Sequence, residues 1–150
     1  TKLPAQSFVA LSAVAWAAGR MSKNEATGLV AAAKALGLEG DELANVEKAP
    51  KEKVSIDAFD SKGFSTWERL LTYGLATWLA RLDGVTQGAE IDSLRKLEGK
   101  LENAEVTTFK LKSAASAAFD VAMQPEGRRP EKYDFAGFEA TLRQRLPTVK

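Results

Sequence analysis

The sequence predicts an all-α fold, a single-domain helical bundle of about seven helices. Apolar residues recur at spacings of three and four along most of the chain, which is the period of an amphipathic α-helix. Alanine, the strongest helix former, is abundant. Alternating patterns typical of strands are scarce, and VSIDAF (54–59) is the only short strand candidate. A length of 150 residues suits one domain.

Composition excludes several kinds of chemistry. The chain is 45% hydrophobic and 27% charged, which argues against disorder, and its net charge of +1 gives no strong attraction to nucleic acid. It contains neither cysteine nor histidine, so disulfides, thiolate sites and a Ser-His-Asp triad are excluded. Any bound metal would therefore be a hard cation held by oxygen atoms.

Three helices are predicted in the first half, at about 4–18, 22–36 and 41–49. FVALSAVAWAA (8–18) has the character of a signal-peptide core, but it is too short to span a bilayer and is predicted to be a buried helix. In the second helix, Ser22 and Glu25 have the spacing of a capping box at the start. Gly37 suits the left-handed position after its end, with Leu38 folding back as the hydrophobic contact.

Four more helices follow KAPKEK (48–53), a polar stretch interpreted as an exposed connection within one domain. They are predicted at about 65–82, 88–101, 106–123 and 135–146, with PEGRRP (125–130) as a turn. STWE (65–68) repeats the capping-box pattern, and the apolar face that follows it predicts the most buried helix of the bundle. The inward residues predicted on these helices are Leu71, Leu75, Trp78, Leu82, Ile91, Leu94, Leu97, Leu101, Phe109, Ala117, Phe119, Phe138 and Leu142.

An internal repeat relates AWAAGRMSKNE (15–25) to TWLARLDGVTQGAE (77–90). In each copy a glycine is followed six residues later by a glutamate, and a tryptophan-bearing helix precedes the turn. Two such helix–turn–helix units predict a pseudo-twofold bundle. The repeat halves cover about 8–49 and 63–102 of a single domain over 1–150, with C-terminal helices at about 106–146.

Two motifs in these copies resemble the TerB-like family, named for tellurite resistance. They are A-W-A-x-G-x-M-x-x-x-E in the first half and YGLATWLARLDGV, with its following glutamate, in the second. The resemblance covers roughly residues 8–102, and KYDFAGFEATLRQRL (132–146) is similar to a C-terminal helix of some relatives. It implies an all-helical fold with two pseudo-equivalent halves and no established enzyme activity. It also implies a divalent-metal site where acidic residues of both turns meet.

Carried over residue by residue, the metal ligands implied by the resemblance are Asp83 and Glu90 in the second half and Glu25 in the first. Ala18 stands where the first half would carry its aspartate, so one of four carboxylates is missing. Three carboxylates with water or backbone oxygens would suit calcium, magnesium or manganese. An EF-hand loop is excluded, because Leu79 and Arg81 would occupy its earlier ligand positions.

These acidic residues also have purely structural interpretations. Glu25 is explained by its capping box. Asp83 precedes a glycine, a common turn pair, although it follows a helix C-terminus, where the dipole disfavours an anion. A cation, or a donor from Arg81 or Arg20, would relieve that cost. Glu90 gains from the dipole of the helix it begins, but Gln87 before it is a poor cap.

Three hypotheses about function follow. The first is a non-catalytic TerB-like module in a bacterial stress or metal-related response, binding a divalent cation weakly. The second is a metal-free interaction or scaffolding module whose partner is another protein or a second copy of the chain. The third, a divalent-metal hydrolase, is disfavoured by the absence of histidine. With no targeting or membrane segment, the expected location is the cytoplasm, and neither nucleic acid nor integral membrane association is expected.

Overall fold

The computed structural model describes residues 2–17, 19, 21–82, 88–122 and 133–146. Within these ranges the chain forms seven α-helices and no strand, so the predicted all-α fold is confirmed. The helices are α1 Ala5–Trp16, α2 Lys23–Ala35, α3 Gly40–Glu47, α4 Thr66–Ala80, α5 Gly88–Leu101, α6 Thr108–Ala122 and α7 Phe135–Arg145. The strand candidate 54–59 is wrong: its centre, Ile56–Ala58, is a 3-10 turn begun by the Ser55 hydroxyl, which accepts from the Asp57 amide.

Both predicted capping boxes are present. The Ser22 hydroxyl accepts from the Glu25 amide at 3.1 Å, and the Glu25 carboxylate accepts from the Ser22 amide at 3.0 Å. Ser65 and Glu68 form the same pair at the start of α4. The end of α2 is also as predicted, with Gly37 at a φ of 96° and the Leu38 amide donating to the Ala33 carbonyl.

Helix α4 lies at the centre of the bundle, as its continuous apolar sequence predicts. It packs against α1, α2, α5, α6 and α7, and nearly every side chain along it is buried. The Ser7 and Thr72 hydroxyls form a buried hydrogen bond of 2.8 Å between α1 and α4. This bond satisfies both polar groups inside the core and fixes the position of one helix along the other.

An aromatic cluster joins α7 to this central helix. Trp78, fully buried on α4, stacks on Tyr133 with ring centroids 5.1 Å apart and meets Phe135 edge-on at 5.3 Å. At the other end of α4, the Trp67 indole N–H donates to Glu139 at 2.9 Å, and the Arg143 guanidinium lies 4.1 Å above the indole ring. Helix α7 is therefore held at two separated points.

Two predicted core residues lie on the surface instead. Ile91 is 41% exposed. The buried side of α5 is formed by Glu90, Ser93, Leu97 and Leu101, and Ile91 follows Glu90 by one residue, which turns it about 100° away. Phe109 is 79% exposed. It precedes Leu111, the first buried residue of α6, by two positions, which places it roughly on the opposite side of that helix.

None of the helices in the described ranges combines the length and the apolar character that a bilayer crossing requires. The predicted turn 125–130 lies outside the described residues.

Candidate functional site

Glu25 is the third residue of α2, and its backbone is fixed by the capping box. One carboxylate oxygen, Oε1, accepts the Ser22 amide hydrogen bond. The side chain is only 6% exposed, and the second oxygen, Oε2, is buried without a hydrogen-bond partner. The capping role therefore accounts for only one of the two oxygens. A buried acceptor without a donor is costly, so this atom marks the site as unusual.

Glu90 is the third residue of α5 and is 5% exposed. Helix α5 packs against α1 and α4, and its C-terminal end is bonded by the side chains of Ser61 and of Arg69 on α4. The Ser61 hydroxyl donates to the Lys100 carbonyl at 2.8 Å, and the Arg69 guanidinium donates to the Leu101 carbonyl at 2.9 Å. These bonds satisfy carbonyls that a helix end leaves free.

The two glutamates meet inside the protein, and their contact changes the acidity of Glu25. The pKa of Glu25 is raised to about 7, against an ordinary value of 4.5, and burial is the largest cause. The charge of Glu90 and its side-chain contact with Glu25 also raise the pKa, while the hydrogen bonds with Ser22 oppose the rise. The carboxyl groups of Glu25 and Glu90 therefore form one electrostatic unit.

The chemistry of carboxyl groups restricts the protonation states in which Glu25 and Glu90 can stay in contact. Two ionised carboxylates are both acceptors and cannot hydrogen-bond to each other, but a proton on one of them makes it a donor. The contact between Glu25 and Glu90 is thus stable when one group is protonated. When both groups lose their protons, a cation between them would replace the proton as the positive partner.

The other residues predicted for the site are less informative. Asp83 lies outside the described residues, as do Ala18 and Arg20. Arg81, a predicted donor to Asp83, has its guanidinium 4.4 Å above the Phe119 ring. Across the described ranges no group of three or more acidic side chains is gathered in a way that could hold a metal ion.

Burial of Glu90 was missed in the sequence because Ile91, Leu94, Leu97 and Leu101 suggest a complete apolar face without it. A usable signal was present in the repeat, which gives Glu25 and Glu90 the same place in each half. The tryptophans of the repeat, by contrast, have different surroundings, since the half-buried Trp16 donates to the Ala49 carbonyl at 2.8 Å and Trp78 lies in the aromatic cluster.

Comparison of the chain with family models, with curated proteins and with solved structures finds no match in any of the three.

Proposed function

We propose that the chain is a non-catalytic, TerB-like helical module with pseudo-twofold halves that binds a divalent cation weakly, in a bacterial stress or metal-related response. The observation that supports this proposal is the buried pair of Glu25 and Glu90, in which Oε2 of Glu25 has no donor. Calcium, magnesium and manganese prefer carboxylate oxygens, and such a cation would satisfy that atom.

The residues fit a hard cation, and they also explain why its binding would be weak. Glu25 already shares Oε1 with the Ser22 amide, so only part of its carboxylate is available. Ala18 supplies no carboxylate where the resemblance implies an aspartate. A proton competes for the pair near neutral pH, because the pKa of Glu25 is raised to about 7. In this proposal Asp83 completes the ligand set with Glu25 and Glu90.

Divalent cations should raise the melting temperature, and more strongly at pH 8 than at pH 6, because metal binding requires both carboxyl groups to be deprotonated. At a concentration of about ten times the dissociation constant, the cation should add about 1.4 kcal/mol to the unfolding free energy, or about 3–5 °C. Calorimetric titration of the chelator-treated protein with calcium, magnesium and manganese chloride measures the binding directly.

Variants make this titration specific to the site. Glu90→Gln and Glu25→Gln should remove both the binding heat and the melting shift. Glu68→Gln, which alters the equivalent capping box of α4, should keep them. Ala18→Asp should tighten binding by restoring the missing carboxylate. If no heat and no melting shift appear at millimolar metal for the wild-type protein, the cation proposal is wrong.

The geometry of the Glu25–Glu90 pair differs from that of a catalytic acid–base pair. Glycosidase-type acid–base pairs stand about 5–9.5 Å apart, with the substrate or its water between them. The carboxyl groups of Glu25 and Glu90 are instead buried and within hydrogen-bonding reach of each other. A bond to be hydrolysed would have no room between them, so this pair does not support acid–base hydrolysis.

One observation favours the alternative of a metal-free interaction module. Phe109 is 79% exposed on α6, and a large aromatic side chain in water is a typical anchor for a protein partner. In this second candidate, Phe109 contacts another protein or a second copy of the chain.

Phe109→Ser should leave the unfolding free energy within about 0.5 kcal/mol of wild type, since the side chain contributes little to the core. If the chain associates with itself through Phe109, the wild-type protein should sediment faster as its concentration rises, and the variant should remain a monomer. Identical sedimentation of the two proteins at every concentration would exclude self-association through this residue.

A further inference from the structure

A groove with an apolar floor lies between α1 and α3, away from the pair of Glu25 and Glu90. Phe8 and Val9 of α1 line one side, Val46 of α3 lines the other, and Val54 lies on the segment that follows. Its volume is about 290 Å³. This is close to the lower limit of about 300 Å³ for small-molecule sites, so an occupant would be about the size of one aromatic ring with a short chain.

The charge on this groove, called here the α1–α3 groove, has one sign. Glu42 and Glu52 are its charged lining residues, and no lysine or arginine lines it. Neither carboxylate forms a hydrogen bond or an ion pair within the part of the chain that the structure describes. Lys53, the neighbour of Glu52, lines a separate pocket that shares Val54 with this one.

An apolar floor with carboxylates at its edge matches one kind of ligand. The apolar part of that ligand would be removed from water against Phe8, Val9 and Val46. Its positive end would lie near Glu42 and Glu52, which are exposed and free to turn toward it. An anion of the same shape would be repelled by both carboxylates. Asn45, also exposed in the lining, adds a neutral amide that can bond to an ammonium group.

From this combination we propose that the α1–α3 groove binds small organic cations, namely amines that carry an aromatic or aliphatic group. Nothing in this binding depends on the metal proposal, since the groove shares no residue with the acidic pair. A module with both sites would respond to two chemically different ligands.

Phenethylamine, protonated at pH 7, is a suitable probe, and 3-phenylpropionate is its match in shape with the opposite charge. Titration of the full chain, followed by amide chemical shifts, should show saturable changes at Val9, Val46 and Val54 with phenethylamine. The expected dissociation constant is about 1 mM, as for a well-placed ligand of this size. 3-Phenylpropionate should bind at least about five times more weakly.

Substitutions then test the two parts of the groove. The double variant Glu42→Gln with Glu52→Gln should weaken phenethylamine binding about five- to tenfold, as expected for two exposed charges. Val9→Phe, which fills the floor, should abolish binding. Glu47→Gln is the control, because this exposed glutamate ends α3 outside the groove.

Each of three results would overturn the proposal. These are the absence of saturable shifts up to about 10 mM phenethylamine, equal binding of 3-phenylpropionate, and unchanged affinity in the folded double variant. Circular dichroism of every variant establishes that the helices are retained before affinities are compared.

Discussion

Between about pH 5 and pH 8 the wild-type protein should lose about 2.5 kcal/mol of unfolding free energy through Glu25 alone, and the Glu25→Gln variant should not. The native pKa of Glu25 is about 7, which is above the ordinary value of 4.5 expected in the unfolded chain. A carboxyl group of this kind favours the native state while it is protonated. Its contribution is complete below about pH 4.5 and disappears as the pH rises through 7.

The physical cause is the cost of ionising a buried group next to another acid. At pH 8 the native protein must hold two carboxylates in contact, whereas the unfolded chain exposes both to water. Glutamine keeps an oxygen for the Ser22 amide and supplies an N–H that can donate to Glu90. The variant should therefore be more stable than the wild-type protein at pH 8 by a few kcal/mol, about the same size as the wild-type loss.

Urea unfolding at half-unit pH steps, in a chelating buffer, measures this difference. Glu68→Gln serves as the control, because it changes the matching capping box of α4 and retains Glu25, so it should show the wild-type loss. A wild-type protein whose stability stays constant or rises from pH 5 to pH 8, relative to Glu25→Gln, would show that Glu25 ionises without cost and that the pair is not coupled.

The same cost links the proton to the proposed cation. In chelator, the pair is stabilised by a proton at low pH and is strained above pH 7. A divalent cation would remove that strain, so added calcium or manganese should reduce the loss of stability at pH 8 and have little effect at pH 5. The pH dependence thus separates a cation held at Glu25 and Glu90 from one bound elsewhere on the surface.

Much of the fold could be predicted because its signals are local. Capping boxes at Ser22 and Ser65 and the glycine after α2 depend on residues within one helical turn, so sequence spacing is enough to identify them. The errors at Ile91 and Phe109 have a different origin. Near a helix end one residue of rotation moves a side chain by about 100°, and that rotation is set by tertiary contacts.

The candidate site was harder to predict for the same reason. The repeat singled out Glu25 and Glu90, but their burial and their contact depend on how α2 and α5 are placed in the bundle. The α1–α3 groove has no sequence motif at all, because its residues come from α1 and from α3 with the segment after it, which are apart in the chain. Sequence spacing can identify a candidate residue, but the contacts of that residue depend on how the helices pack.

Removal of the Trp78 side chain should give the largest loss of stability among the substitutions considered. Trp78 is fully buried at the centre of the bundle and contacts Tyr133 and Phe135, which precede and begin α7. Trp78→Ala should lower the unfolding free energy by about 3–5 kcal/mol, because a large cavity replaces the indole. Its partner in the repeat provides the control: Trp16 is only half-buried, so Trp16→Ala should cost less.

The position of Trp78 also predicts which part of the bundle loses stability when its side chain is removed. With its stacking partner gone, Tyr133 should become more exposed, and the pKa of its phenol, raised in the wild-type protein chiefly by burial, should fall toward the ordinary value. Amide hydrogens of α7 should then exchange faster than those of α1, because α7 loses one of its attachments to α4, while those at Trp67 and against α6 remain. Trp16→Ala should leave exchange in α7 unchanged. Equal acceleration in α1 and α7 of Trp78→Ala would mean that the bundle opens as one unit, and that the aromatic cluster stabilises the core without specifically holding α7.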